Sequence, residues 1–311
     1  MSAPVAHARP TPRVLVIYKK SAYQIYVRER RHAHIEQLVA ARDPGALRLL
    51  RAHRDHLHAL ETARVSLAKL GVDAKFRHRS DGTHAQHVDL VVTLGGDGTL
   101  LWASRLVGAN TPIVAINTAP KDSVGYFCAG TKHALGDTLS AALSGKLSTT
   151  TLTRMQVEMD GVVLSKRVLN DALYCHECPA STSRYELRLG RARDEQKSSG
   201  VWIGPAAGSS AAQRSAGGKL LPIDSEQLQY VVREPYEING TRYNLKKGLV
   251  APGQRFKIQS HMRAGRLYLD GPHTVHSVEM ASVLEFHQST EPLQLLGFTR
   301  KRKQSGAARK R

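Results

Sequence analysis

A glycine turn between two apolar segments sets the strongest limit on what this chain can fold into. Val88-Asp-Leu-Val-Val-Thr-Leu94 reads as a buried strand, Leu100-Leu-Trp-Ala-Ser-Arg-Leu-Val107 reads as a helix, and Gly95-Gly-Asp-Gly-Thr99 joins them. A strand that enters a helix through glycines can offer backbone N–H groups to an anion at the helix N-terminus, where aligned peptide dipoles favour negative charge. Asp97 places a carboxylate in the same turn. Beside phosphate a carboxylate is electrostatically costly unless it has a task, and two tasks suit it: taking a proton from an attacking hydroxyl, or ligating Mg²⁺ through water. A third reading contains no chemistry, with Asp97 serving only as a helix cap. The turn matches neither the G-x-x-x-x-G-K-[ST] pattern nor G-x-G-x-x-G, which argues against P-loop and dinucleotide-oxidoreductase readings.

The flanking sequence supplies the architecture. Arg13-Val-Leu-Val-Ile-Tyr18 reads as a first buried strand running into Lys19 and Lys20. Leu47, Leu50, Leu57, Leu60, Leu67 and Leu70 recur at steps of three and seven, and predict one stripe of a long amphipathic helix that stops at Gly71. Val72 to Arg77 and Pro112 to Asn117 add strands. Strands alternating with helices predict an α/β domain with a mostly parallel sheet over residues 1–147. Beyond it the pattern changes to period two. Thr151 to Met159 and Val162 to Tyr174 face each other across Asp160-Gly161 as a hairpin, and Ser183 to Leu189, Arg255 to His261 and Gly265 to Gly271 read as further strands. The expected organisation is therefore an all-β domain over 148–285, a return segment to the first domain over 286–298, carried by Leu293 to Phe298, and a basic disordered tail over 299–311.

Charge narrows the partners. The 311 residues carry 45 Lys and Arg against 26 Asp and Glu, a net charge of +19, and seven of those excess charges lie in Thr299 to Arg311. Such a tail can neutralise nucleic-acid phosphates, but a solvated disordered end is the simpler reading. Basic residues spread through the folded body can steer an anionic substrate such as a nucleotide. No window approaches the ~18–20 apolar residues of a membrane span, Met1 to Arg13 has no apolar run of signal-peptide length, and three cysteines do not make a disulfide scaffold. A cytoplasmic protein with no membrane partner is the expectation. Cys175-His-Glu-Cys178 has the spacing of half a zinc site, but Cys128 is the only other cysteine, and a strand edge is the simpler reading. The fifteen histidines, His53, His56 and His58 among them, are expected at solvated helix positions, and no residue is assigned as a metal ligand.

Gly95-Gly-Asp-Gly-Thr99 resembles the signature shared by NAD kinases, diacylglycerol kinases and sphingosine kinases. Ile116 to Gly125, Leu169-Asn170-Asp171, Gln196-Lys-Ser-Ser-Gly200 and Gly208-Ser-Ser-Ala211 then follow in the order and spacing of NAD kinases, a similarity running from Val14 to Phe286. The Lys-Ser-Ser-Gly segment and Leu169 to Leu187 are more similar to the mitochondrial-type members than to the common bacterial type. The resemblance implies the NAD kinase / diacylglycerol kinase-like fold, with an all-β C-terminal domain. It also implies transfer of the γ-phosphoryl group of ATP, accompanied by Mg²⁺, to the 2′-hydroxyl of the adenosine ribose of NAD, giving NADP. In it Asp97 contacts that hydroxyl as base or orienter, and Gly95, Gly96, Gly98 and Thr99 line the phosphate site. Asn170 and Asp171 meet the diol and the purine edge, Gly208, Ser209, Ser210 and Ala211 let the nucleotide approach closely, and Asp270 reaches it from the β domain. Lys19, placed directly after a strand end, is the cation expected on the donor phosphates. Two positions depart from the common pattern: Ser199 stands where an Asp is usual and Ala212 where a Tyr is usual, so one acidic and one aromatic contact are replaced. Family assembly implies a homodimer or homotetramer. Two rival readings are a lipid or small-alcohol kinase using the same turn, and a non-catalytic nucleotide sensor that binds nucleic acid through Thr299 to Arg311.

Overall fold

Strand burial dictates the first half of the architecture. The computed structural model describes residues 11–79, 81, 87–237 and 242–298, so the basic tail over 299–311 lies outside the described residues. In chain order come β1 (Arg13–Tyr18), α1 (Ala33–Ala40), α2 (Pro44–Lys69), β2 (Asp73–His78), β3 (Leu90–Gly95), α3 (Asp97–Ser104), β4 (Ile113–Asn117), β5 (Gly130–Thr131), α4 (Leu135–Leu143) and β6 (Thr149–Leu152). Every residue of β3 and β4 is buried, as parallel strands covered on both faces require. β2 is only half-buried and lies at the sheet edge. β1 pairs in parallel with β2 on one side and β3 on the other, and β3 pairs in parallel with β4.

After β6 come β7 (Met155–Met159), β8 (Val162–Val168), β9 (Ala172–His176), β10 (Ser183–Leu189), β11 (Ala192–Ser198), β12 (Gly200–Pro205) and a short α5 (Ala212–Ser215). They are followed by β13 (Leu228–Arg233), β14 (Lys247–Val250), β15 (Phe256–Ser260), β16 (Gly265–Leu269), β17 (Thr274–Val278) and β18 (Val283–Gln288). These form two antiparallel sheets, ordered β11-β10-β15-β18-β7-β8 and β14-β13-β12-β9-β16-β17. Their shared core includes Tyr174, Tyr185, Tyr230, Phe256 and Phe286, with Tyr230 stacked on Phe256 at 4.3 Å between centroids. Asp160 and Gly161 both take positive φ, 53° and 81°, the type I′ geometry that suits a two-residue hairpin. The chain then returns as β19 (Leu293–Leu296), which lies parallel to β4 and between β4 and β6. By contacts the chain divides between Thr149 and Thr150 and again between Gln294 and Leu295, both inside strands. The fold is thus an α/β unit with a mostly parallel sheet and an antiparallel β unit, as the sequence predicts. Among the described residues no helix is long and apolar enough to cross a membrane.

Two segments differ from the sequence reading. The predicted hairpin arms are each two strands: Thr151–Met159 breaks at Thr153 and Arg154 between β6 and β7, and Val162–Tyr174 breaks at Leu169–Asp171 between β8 and β9. Arg154 is fully buried, and its guanidinium donates to the carbonyls of Glu291 and Pro292 at 2.5 and 3.1 Å, which fixes the first break against the returning chain.

The second difference is the face of α2. Asp43 caps this helix by accepting from the N–H groups of Gly45 and Ala46, with Pro44 at the first position. Its buried residues are Ala46, His53, His56, Ala59, Ala63 and Leu67, whereas Leu47, Leu57 and Leu70 are exposed. Steps of three and seven sum to ten residues, a rotation about 80° short of three full turns, so the leucines spiral around the helix and Leu47 faces away from Leu67. The small Ala59 and Ala63 set the packing distance instead. Ala63→Leu is therefore expected to lower stability by about 1–3 kcal/mol, and Leu57→Ala to change it by less than about 0.5 kcal/mol. Urea denaturation of the two variants checks this, and the reverse order would restore the leucine stripe as the packing face.

Candidate functional site

The carboxyl ends of β1, β3 and β4 bring one group of polar residues together. β3 ends in Gly95, and Gly96 caps α3 in an extended conformation. A Cβ on Gly95 would collide with Thr99, and one on Gly96 with the Ser123 hydroxyl, so both glycines are required by packing around the turn. Thr99 is buried, while Gly98 is exposed at the start of α3. Asp97 is half-buried, and its two carboxylate oxygens accept the N–H groups of Tyr126 and Phe127, each at 2.9 Å. Two charge-assisted bonds from another segment fix the carboxylate, and the second lone pair of each oxygen can still accept from a hydroxyl. The segment after β4 is tied to the same turn: Thr118 N–H donates to the Gly95 carbonyl at 3.1 Å, and Asn117 holds the Ser123 carbonyl at 2.9 Å.

Lys19 follows β1 directly. Burial, and then the positive charge of Arg79, lower its pKa, while Asp122 opposes them. Asp122 also pairs with Arg48 and Arg51 at 3.6 and 3.4 Å, so its carboxylate is shared among three cations. Lys20 turns away to Glu29 at 2.8 Å. Two histidines expected in solvent lie in this region and are buried. His53 Nδ1 is 2.8 Å from Ser21 Oγ and His56 Nδ1 is 3.0 Å from Thr118 Oγ1. Their spacing of three among Ala46, Ala59 and Ala63 was the available signal, since one helical face carries all five.

In the β unit the break between β8 and β9 forms a second group. Asp270 adopts φ 50° at the end of β16, and its carboxylate accepts from the N–H groups of Leu169, Asn170 and Asp171 at 3.1, 2.6 and 3.3 Å. Asn170 in turn donates to Asp171 Oδ2 at 3.1 Å. Asp171 is buried, and burial followed by the nearby Asp270 charge pushes its pKa up to about 7. The structure thus unites Asn170, Asp171 and Asp270, with the Asp270 carboxylate turned onto the backbone of the other two.

Gly208 belongs to this group, because a Cβ there would collide with the Asn170 carbonyl. Ser209 is fully buried, with its hydroxyl donating to the Ala206 carbonyl at 2.7 Å and accepting from Leu221 N–H at 3.0 Å. Ser210 and Ala211 are exposed, and Ala212 begins α5. Gln213, which sequence reasoning passed over, is fully buried one residue later, with its Oε1 bonded by Gln229 and its Nε2 unpartnered. Ser199 stands apart. It lines a cavity of about 190 Å³ with Cys175, His176, Cys178, Arg233 and Tyr268, whose walls include none of Asn170, Asp171 and Asp270.

Comparison with known proteins gives the family. The model of the ATP-NAD kinase N-terminal domain matches residues 13–146. A probable NADH kinase from Oryza sativa subsp. japonica is 33% identical over 265 residues, covering 78% of this chain and 82% of its own length. The chain belongs to the NAD kinase family. The NADH kinase of Arabidopsis thaliana is 30% identical over 272 residues, covering 78% and 84% of the two chains. The crystal structure of an NAD kinase from Archaeoglobus fulgidus in complex with ATP shares the fold, with a TM-score of 0.65 over 94% of this chain and 96% of that one at 19% identity. In this NAD kinase family member the glycine turn falls within the matched N-terminal domain, and the Asn170, Asp171 and Asp270 group lies outside it.

The Asp171 geometry makes a pH prediction. A carboxyl whose pKa rises from 3.8 to about 7 on folding binds protons more tightly in the folded state, so its destabilising effect develops as pH rises between those values. Asp171→Asn is expected to raise the thermal midpoint relative to the unchanged protein at pH 8 and to leave it nearly unchanged at pH 4. Scanning calorimetry at the two pH values checks this, and equal shifts at both would remove Asp171 as the titrating group.

Proposed function

We propose that this chain transfers the γ-phosphoryl group of ATP to the 2′-hydroxyl of the adenosine ribose of NAD or NADH, giving NADP(H). The observation that carries this reading is the Asp97 carboxylate, fixed by two backbone N–H groups at the mouth of the glycine turn. Phosphoryl transfer needs the attacking oxygen aligned and its proton accepted, and a pre-oriented carboxylate does both without being a strong base. Gly95, Gly96, Gly98 and Thr99 form the turn on which phosphate oxygens rest, with the N-terminus of α3 directed at them. Lys19 is the cation for the donor, supported by its half-buried position after β1 and by the Arg79 charge facing it.

Mg²⁺ enters as part of the substrate. The glycine turn carries one carboxylate, already engaged with two amides, and Asp122 is engaged by arginines. That donor set fits an ion carried in on the triphosphate and not one held by the protein alone. When bound it would offset the charge of the donor phosphates. The acceptor is held through the β unit. Asn170 and Asp171 offer an amide and a carboxylate to the ribose diol and purine, Asp270 rigidifies their backbone, and Gly208, Ser210 and Ala211 give a small-residue approach. Ser199 and the cavity it lines with Arg233 and Tyr268 are the part of the β unit left for one aromatic end of the dinucleotide. The names of the two plant relatives support NADH as the acceptor to compare first with NAD, because the 2′-hydroxyl is chemically the same in both.

A homodimer or homotetramer is part of the same reading. Val231, Trp202, Leu173, Tyr268 and Val275 form one apolar row across β13, β12, β9, β16 and β17, with Val275 exposed. Three cysteines, none of them in a disulfide, support a reducing, cytoplasmic setting.

The test is NADP(H) formation from NAD or NADH with ATP and Mg²⁺. Asp97→Asn is expected to lower kcat by roughly 10²–10⁴-fold while calorimetric binding of the dinucleotide persists. No turnover by the unchanged protein with either dinucleotide would overturn the reading.

A further inference from the structure

One buried imidazole contacts, directly or through one neighbour, all three strand ends that form the site of the α/β unit. His56 projects from α2 and is 1% exposed. Its Nδ1 lies 3.0 Å from Thr118 Oγ1, in the segment after β4. Thr118 donates its own N–H to the carbonyl of Gly95, the end of β3. The His56 ring also faces the main chain of Lys19 after β1, yet Nε2 meets no partner at hydrogen-bond geometry. Burial, the largest effect, takes the ring pKa down to about 4, so the imidazole is neutral at neutral pH. Lys19, His53 and His78 are the charged and titratable groups that face it, and all three disfavour a second proton on the ring.

A neutral imidazole has one donor and one acceptor. In the tautomer that accepts the Thr118 hydroxyl at Nδ1, the proton is on Nε2, free to meet the Lys19 main chain. A buried N–H left unpaired is costly, and catalytic hydrogen bonds are often loose until substrate is bound.

We propose that His56 is a positioning residue for the phosphoryl donor: it braces the Lys19 segment against Thr118 and the glycine turn, and its Nε2–H bond to the Lys19 carbonyl closes when donor phosphates engage the Lys19 ammonium. His56 touches no substrate. It sets how far the Lys19 ammonium stands from the turn that carries Asp97, and therefore acts on ATP and not on the dinucleotide. The inference rests on the kinase reading above, with Lys19 on the donor.

Three variants test it. Thr118→Val removes only the hydroxyl that orients the ring and keeps the side-chain shape. His56→Ala removes the brace, and His56→Gln restores a donor near the Nε2 position. Thr118→Val and His56→Ala are each expected to raise KM for ATP roughly tenfold, with KM for the dinucleotide changed less than about twofold, and His56→Gln to recover most of that loss. In a Lys19→Met background the same substitutions are expected to leave KM for ATP unmoved, because the group they position is gone. Calorimetric titration with ATP, on protein shown by circular dichroism to be folded, gives a readout independent of turnover. Equal shifts for ATP and dinucleotide, full additivity with Lys19→Met, or no recovery in His56→Gln would each overturn the brace. If the unchanged protein made no NADP(H), the kinase reading would fail, and ATP titration of the same variants would still decide what His56 does.

Discussion

Parallel strands buried on both faces leave a chain little room to be polar except at their ends, and the α/β unit is organised by that constraint. β3 and β4 are buried at every residue, so the hydrogen-bonding capacity of this region gathers in the segments that follow them. There the main chain is held by side chains: Asn117 holds Ser123, and Asp97 holds Tyr126 and Phe127. The sheet supplies rigidity, and the strand-end segments borrow it through these bonds.

The β unit reaches the same result by another route. Its strands are antiparallel and its core lies between two sheets, so strand ends are not privileged. A break in one strand path is used instead. Asp270 gathers three consecutive N–H groups of Leu169 to Asp171, where the chain passes from β8 in one sheet to β9 in the other. One buried carboxylate then stands beside another, and Asp171 carries the cost of its burial, and after it of the Asp270 charge, as a raised pKa. Asp97 and Asp270 therefore play parallel structural parts, each fixing backbone from a distant segment. The difference is that Asp97 stays half-exposed while Asp270 is buried.

What was legible in the sequence is what short-range chemistry decides. The glycine turn, the Asp160-Gly161 hairpin and the continuous apolar strands are each settled within a few residues. The buried face of α2 was not legible, because the leucines draw the eye while Ala59 and Ala63 determine the packing. His53 and His56 were missed for a related reason: their partners, Ser21 and Thr118, lie 32 and 62 positions away. A histidine alone does not say whether it will find a hydroxyl. The order of motifs along the chain pointed to Asn170, Asp171 and Asp270 as a set, but not that Asp270 faces backbone a hundred positions away. The segment from Gly208 to Ala211 was equally ambiguous until Ser209 proved to be committed to Ala206 and Leu221.

The position of β19 has a consequence for how the chain can be built. It lies between β4 and β6, although it comes near the end of the chain and β6 comes before its middle. During synthesis from the N-terminus, β6 has no neighbour in its sheet until the whole antiparallel unit has been made and Leu293–Leu296 emerges. Loop-closure entropy across that span must be met before this last pairing returns any free energy. The antiparallel unit is in effect an insertion within a sheet that closes late, and the α/β unit waits on it to become complete.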